Sequence, residues 1–261
     1  MKLFVRSYGE GYPLLILHGM FEMSDNWVLY AKHWAKKYKV IIPDLRNHGR
    51  SPHSPELTYE AMARDIKELL DELGIEKTKV VGFSMGGRLA MYMAQKYPGL
   101  FEKMVIIDIS PREYTESEFF KQLTCVENFR KLVHFDPSQY KTRQEVEQAL
   151  KEFLPNPKLT PLIVKNIKHE NGKFAWKVNI KAIEENFDKL REQVIAPNKK
   201  ITVPTLFVKA GNSHYIGDKD KELLEKTFEN YKIETIEKAS HFLPIEKPEV
   251  LKKIIDGYFE E

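Results

Sequence analysis

The sequence predicts an α/β fold in which a mostly parallel central sheet is flanked by helices. Two observations carry this expectation: short, continuous apolar runs recur along the chain, and amphipathic helical patterns separate them. Residues 13–17 (PLLIL) and 40–42 (VII) read as the first two strands. A helix follows over residues 59–73, with Met62, Ile66, Leu69, Leu70 and Leu73 on one face and Gly74 as its stop signal. Val80 and Val81 belong to the next strand, and residues 87–96 are helical up to Pro98. Residues 104–109 (MVIIDI) form another apolar strand, interrupted only by Asp108. Such runs do not alternate with polar residues, so their strands are buried on both faces, as parallel strands are.

The rhythm breaks over residues 111–190, where helical segments are charged and no buried parallel strand is convincing. Asn171-Gly172 marks a hairpin turn there, between residues 167–168 and 174–178. The α/β rhythm resumes at residues 205–209 (TLFVK), continues through 233–236 and closes on a helix over 248–259. The expected organisation is therefore one core, residues 1–110 and 191–261, with a mainly helical cap inserted at 111–190. No internal repeat or low-complexity tract interrupts it.

Composition narrows the function classes. A chain of 261 residues with 42% hydrophobic and 11% aromatic content can bury a substantial core. Its 41 basic and 38 acidic residues leave a net charge of +3, and no basic block or RNA-binding aromatic motif argues for nucleic acid. The 30% charged content predicts an ion-pair-rich surface, as in many thermophile proteins. Cys125 is alone, which excludes an internal disulfide and suits a reducing cytoplasm. Neither a signal peptide nor a membrane-spanning run is read, so a soluble, cytoplasmic protein is expected.

Chemistry concentrates at Gly82-Phe83-Ser84-Met85-Gly86. Gly-x-Ser-x-Gly would arise by chance in roughly one chain in ten of this length, taking Gly and Ser near 7%. Its setting is more specific: an apolar strand, a tight turn and then a helix, as a nucleophile elbow requires. The helix aims its positive end at the turn, and the Met85 N–H can face a developing oxyanion. A serine also needs a base. His241 follows the last predicted strand and precedes the final helix, so it shares with Ser84 the carboxyl rim of the sheet, where open α/β proteins bind ligands. The bland alternatives are a Gly-rich turn that happens to hold a serine and a loop histidine packed for shape. His18 and His48, beside Gly19 and Gly49, read as structural hydrogen-bonding residues.

Competing sites are missing from the sequence. HExxH, EF-hand, paired-cysteine and GxxxxGK[ST] patterns do not occur, and Gly9-x-Gly11 precedes a strand, so neither metal nor cofactor is expected. Phe119, Phe120, Phe129, Phe135 and Trp176 read first as cap core, with an acyl pocket as the alternative.

These motifs together resemble the α/β-hydrolase superfamily over nearly the full chain. The resemblance rests on His18-Gly19, on the D-x-R-x-x-G-x-S segment from Asp44 to Ser51, on the Ser84 elbow and on His241. Finer segments, namely HGMF, DLRNHGRS, GFSMGG, IDISPREY, WKVN and GNSHY, are similar to the YbfF-type carboxylesterases and their mitochondrial relatives. The superfamily usually takes its catalytic acid from beyond the strand at 205–209, but Ala210-Gly211-Asn212-Ser213-His214 supplies no carboxylate there. Asp218 and Asp220 lie further on among lysines and read as solvated, with Asp218 kept as the second candidate acid. Asp108 is favoured: a carboxylate inside an apolar run is expensive unless paired, and YbfF-type esterases take their acid from that earlier strand. In that family's segment Asp44 serves the turn structurally.

The resemblance implies a serine hydrolase with a catalytic Ser84–His241–Asp108 triad. Its oxyanion hole would be formed by the N–H groups of Met85 and Met20, with Phe21 the next choice after Met20. The expected substrate is a small-molecule ester of a small to medium acyl chain, cleaved through an acyl-enzyme. A thioester such as an acyl-CoA fits the same residues. The reading of a different class is a non-catalytic ligand-binding protein on a hydrolase scaffold.

Overall fold

The computed structural model describes residues 1–116, 118, 132–154 and 160–261. Its first half contains β1 (Val5–Tyr8), β2 (Tyr12–Leu17), α1 (Val28–Trp34), β3 (Tyr38–Pro43), α2 (Tyr59–Glu72), β4 (Thr78–Phe83), α3 (Met85–Lys96) and β5 (Phe101–Ile107). After these come β6 (Ile167–Glu170), β7 (Lys173–Trp176), β8 (Thr205–Ala210) and β9 (Tyr231–Ile236), and the described chain closes on the helix Pro248–Glu260. Seven strands form one sheet in the order β1-β3-β2-β4-β5-β8-β9. Only β1 runs antiparallel to its neighbour; the other pairings are parallel.

The apolar runs are continuous because successive residues feed two cores. Leu15 and Leu17 pack with α2 and α3 on one face of the sheet. Leu14 and Ile16 pack on the other face with Tyr30 and Trp34 of α1 and with Leu251 and Ile255 of the terminal helix. At the start of α2, the Thr58 side chain accepts the Ala61 N–H and so satisfies an orphan donor of the first turn. Met62, Ile66, Leu69 and Leu70 are buried as their spacing predicts. Leu73 departs from the expectation: it forms the C-cap and is 40% exposed, because the chain turns away at Gly74 before it reaches the core.

Several elements escape the sequence pattern, among them β1, α1 and the core helices Lys221–Thr227 and Leu243–Glu246. β1 is an edge strand with a half-buried, mixed sequence (VRSY), so it carries no apolar run. α1 is short and follows the 3-10 turn Ser24–Trp27, which obscures its start.

Between β5 and β8 the described chain holds helices at Arg143–Phe153, Thr160–Val164, Ile180–Glu185 and Phe187–Arg191, and the antiparallel β6–β7 hairpin. Asn171 (φ 51°) and Gly172 (φ 78°) both lie in the left-handed region, as a tight hairpin turn requires. The chain leaving β5 and the chain returning toward β8 run side by side: Tyr114 N–H donates to Arg191 O (2.9 Å) and Val194 N–H to Pro111 O (3.0 Å). Arg88 of α3, fully buried, donates to the carbonyls of Ser110, Arg112 and Glu192 and so pins both limbs to the helix that follows Ser84. Phe135 and Trp176 pack together in this segment, and the Trp176 indole donates to Phe135 O (3.0 Å), consistent with a local core. Phe119, Phe120, Phe129 and Cys125 lie outside the described residues. Among the described residues no helix is long and apolar enough to cross a membrane.

Candidate active site

Ser84 occupies the turn between β4 and α3 with φ 51° and ψ −116°. That conformation is strained for a residue with a side chain, by about 1–3 kcal/mol, and it survives only where the surroundings dictate it. The flanking glycines supply the space. A Cβ on Gly86 would lie 2.1 Å from the Leu17 carbonyl oxygen, and one on Gly82 would lie 2.6 Å from the Gly86 oxygen. Strand β2, the turn and α3 therefore meet at distances that no larger residue permits. The Arg88 N–H donates to Ser84 O (3.0 Å), which starts the helix directly at the serine.

His241 reaches this turn from the loop between β9 and the terminal helix. The Ser84 hydroxyl donates to His241 Nε2 (3.0 Å), and His241 Nδ1–H donates to Asp108 Oδ2 (2.8 Å). The other carboxylate oxygen of Asp108 accepts the Ala210 N–H (2.9 Å). Asp108 is wholly buried and His241 is nearly so. β5 ends at Ile107, so Asp108 is the first residue beyond the strand rather than its last, and its φ of 50° turns the carboxylate across β8 toward His241. Because both carboxylate oxygens accept, the imidazole carries its proton on Nδ1 and leaves Nε2 free to accept from serine.

The imidazole is also held by ring contacts. Phe83 lies on one side with centroids 5.0 Å apart, and Tyr215 approaches to 4.2 Å. Burial pushes the Tyr215 hydroxyl well above its ordinary pKa, so that residue stays neutral. The Tyr114 hydroxyl fixes Tyr215 by donating to its carbonyl (2.7 Å).

Facing Ser84, the turn after β2 carries Met20 and Phe21. Among the described residues, no hydrogen bond occupies the backbone N–H of Met20 or of Met85. Phe21 has φ 61°, and its carbonyl accepts from the Asn166 side chain (2.7 Å). His18 braces the same turn. Its Nδ1–H donates to Gly19 O (2.8 Å) while its Nε2 accepts the Leu45 N–H (3.0 Å), and burial lowers its pKa. His48 donates to Arg46 O (3.0 Å) and is held neutral by burial, its pKa falling to about 3. Asp44 accepts from the Ser24 N–H (2.6 Å) and the Arg50 N–H (2.8 Å), a turn-building role.

The later acids are elsewhere. Asp218 is exposed at the start of a 3-10 turn. Asp220 corrects the sequence expectation: it is fully buried, not solvated, because Arg112 meets it at 3.0 Å and the Gly217 N–H donates to it (2.7 Å). Phe83, Tyr215 and Glu22 are neighbours of the site that sequence reasoning does not single out. Glu22 carries a signal like that of Asp108, a lone acid in an apolar run, but the two aromatics have none beyond their place beside the motifs.

The fold and this constellation define a class. A family model for the alpha/beta hydrolase fold matches residues 12–248, and the chain belongs to that family. The sn-1-specific diacylglycerol lipase ABHD11 of Danio rerio is 32% identical over 245 residues, covering 92% of this chain and 76% of the relative. Esterase YbfF of Escherichia coli (strain K12) is 27% identical over 254 residues, covering 95% of this chain and 93% of the relative. Among solved structures, a marine microorganism esterase superposes with a TM-score of 0.91 at 34% identity, covering 97% of this chain and 98% of that one.

Proposed function

We propose that this protein is a carboxylic ester hydrolase that cleaves small to medium acyl esters through an acyl-enzyme on Ser84. The observation that carries the reading is the continuous relay from Ser84 through His241 to Asp108, at 3.0 and 2.8 Å, on a strained turn. Relatives named esterase and lipase support the same chemistry.

Ser84 Oγ attacks the acyl carbonyl carbon as His241 Nε2 takes its proton, and Asp108 stabilises the resulting imidazolium. The oxyanion is met by the N–H groups of Met85 and Met20. Each such donor contributes about 3 kcal/mol of transition-state stabilisation in enzymes of this type. Collapse of the intermediate breaks the ester C–O bond, and His241 returns the proton to the departing alkoxide. Water then gives a proton to His241 and attacks the acyl-enzyme, and its collapse releases the acid and restores the Ser84 hydroxyl.

Residues 111–190 act as a cap over the site in this reading. Contacts from that segment to the core support it, namely Asn166 to Phe21 O, Asn179 N–H to Asn47 O (2.8 Å) and the Tyr59 hydroxyl to Leu190 O (3.0 Å).

The test is a chain-length series of aryl esters, with matched acyl-CoAs, assayed on wild type beside Ser84→Ala. Short and medium esters should turn over, and Ser84→Ala should lower kcat by about 10⁵ or more. Unchanged hydrolysis in the variant removes the nucleophile. A clear preference for acyl-CoAs converts the reading to a thioesterase, and binding without turnover converts it to a scaffold.

A further inference from the structure

The hydrolytic scheme makes no use of the buried carboxyl of Glu22, only 3% exposed, on the turn that carries Met20. Its side chain folds back on that turn. Oε2 accepts the Gly19 N–H (3.0 Å) and the Trp27 indole N–H (3.0 Å), while the Glu22 N–H donates to Gly19 O (3.2 Å). Gly19 and Glu22 are thus tied twice, with Met20 and Phe21 at the apex between them.

The apex needs such a tie. Phe21 sits at φ 61°, a conformation that costs a residue with a side chain about 1–2 kcal/mol, so the turn would relax if its ends were free. The anchor at the other end is rigid. Trp27 is buried, packs against Phe83 (6.3 Å between centroids) and Tyr30 (5.1 Å), and Phe83 in turn precedes Ser84 and lies against His241. A Cβ on Gly19 would stand 2.9 Å from the Phe83 ring and 3.5 Å from Glu22 Oε2, so turn, carboxyl and ring are in mutual contact. Burying a carboxyl is expensive, and a structure that merely needed filling there would do better with an apolar side chain.

We propose that Glu22 is a positioning residue that locks the turn at residues 19–22 to the Trp27–Phe83 block, aiming the Met20 N–H at the oxyanion formed on Ser84. This rests on the ester-hydrolase reading. Glu22 exchanges no proton with substrate; it acts through the Gly19 and Trp27 donors, so its loss is felt in the transition state and not in ground-state binding.

Glu22→Gln keeps a carbonyl acceptor for both donors, whereas Glu22→Ala removes it. With an aryl ester, Glu22→Ala should lower kcat by about 30- to 100-fold with KM changed less than about threefold, and Glu22→Gln should stay within about fivefold of wild type. Affinity for a trifluoromethyl ketone, which forms an oxyanion on Ser84, should fall in Glu22→Ala by a similar factor, while affinity for the carboxylic acid product holds. Solvent exchange of the Gly19 amide and the Trp27 indole N–H, read by NMR without substrate, should quicken at least about tenfold in Glu22→Ala but not in Glu22→Gln. An active wild type whose Glu22→Ala variant keeps its kcat, or whose two variants are equally impaired, overturns this proposal alone. Unchanged exchange in a folded Glu22→Ala does the same. A wild type inactive on every ester overturns the hydrolase reading itself, and the catalytic part of this proposal with it.

Discussion

Replacing Asp108 with asparagine alters one atom and should disable the proposed relay. Both carboxylate oxygens accept hydrogen bonds, one from His241 Nδ1–H at 2.8 Å and one from the Ala210 N–H at 2.9 Å. An asparagine offers one acceptor and one NH₂. If the NH₂ faces Ala210, two donors meet at the backbone; if it faces His241, the imidazole must move its proton to Nε2 and can no longer accept from Ser84. The buried site admits no third arrangement without moving β8. The buried negative charge that stabilises the imidazolium is lost in either case. Elsewhere the equivalent change in a serine hydrolase triad lowers kcat by about 10⁴, which corresponds to about 5.5 kcal/mol of barrier. The assay is kcat/KM for a p-nitrophenyl ester with Asp108→Asn beside Asp218→Asn, each checked for folding by circular dichroism. Asp108→Asn should lose about 10³- to 10⁴-fold, and Asp218→Asn, at an exposed position, less than about threefold. The reverse ranking in folded proteins would refute the assignment of the acid.

Other perturbations probe different parts of the structure. Gly86→Ala places a methyl 2.1 Å from the Leu17 carbonyl, so a thermal melt should show a loss of about 2 kcal/mol or more, with activity falling alongside; a melt like wild type would contradict the close approach. Burial raises the Glu22 carboxyl from its ordinary 4.5 to about 7, against the opposing pull of the Gly19 and Trp27 hydrogen bonds and, least, of Lys165. Between those values the folded protein holds a proton that the unfolded chain has released, so the protonated carboxyl carries no ionisation penalty below about pH 4.5. The penalty grows as pH rises through about 7, where it levels at about 3 kcal/mol. Glu22→Gln never incurs it, so its melting temperature relative to wild type should rise by about 5 °C between pH 4.5 and pH 8.5; a pH-independent difference would contradict the buried titration.

The sequence already shows most of the central sheet, because parallel strands buried on both faces leave short continuous apolar runs set between helical patterns and turn signals. Leu14 to Leu17 is such a run, and its residues divide alternately between the two cores. Edge strand β1 leaves no such mark, since one side of it lacks a neighbour and its residues are mixed. Spacing alone extends the buried face of α2 one residue too far, to Leu73, because the pattern continues where the chain has already turned. Ser84, His241 and Asp108 are legible for a related reason. A lone polar residue in or beside an apolar strand must be paired or functional, and the carboxyl rim of a parallel sheet brings such residues together. The same logic extends to Glu22 in the HGMFEM segment, a buried acid that the sequence analysis does not single out. Asp220 escapes it because its neighbouring lysines suggest solvent, whereas its partner, Arg112, is distant in sequence. Phe83 and Tyr215, which enclose the imidazole, are indistinguishable by type from any core aromatic.

Covalent capture gives the most direct test of the hydrolase reading. An aryl fluorophosphonate added to the folded protein should phosphonylate one serine, whose oxygen bonds to phosphorus as fluoride leaves, and peptide mass spectrometry should place the adduct on the peptide that contains Ser84. His241→Ala should slow the labelling by about 10³-fold or more. Efficient labelling at another residue, or ester turnover that persists with Ser84 unmodified, would contradict a reactive hydroxyl on that turn.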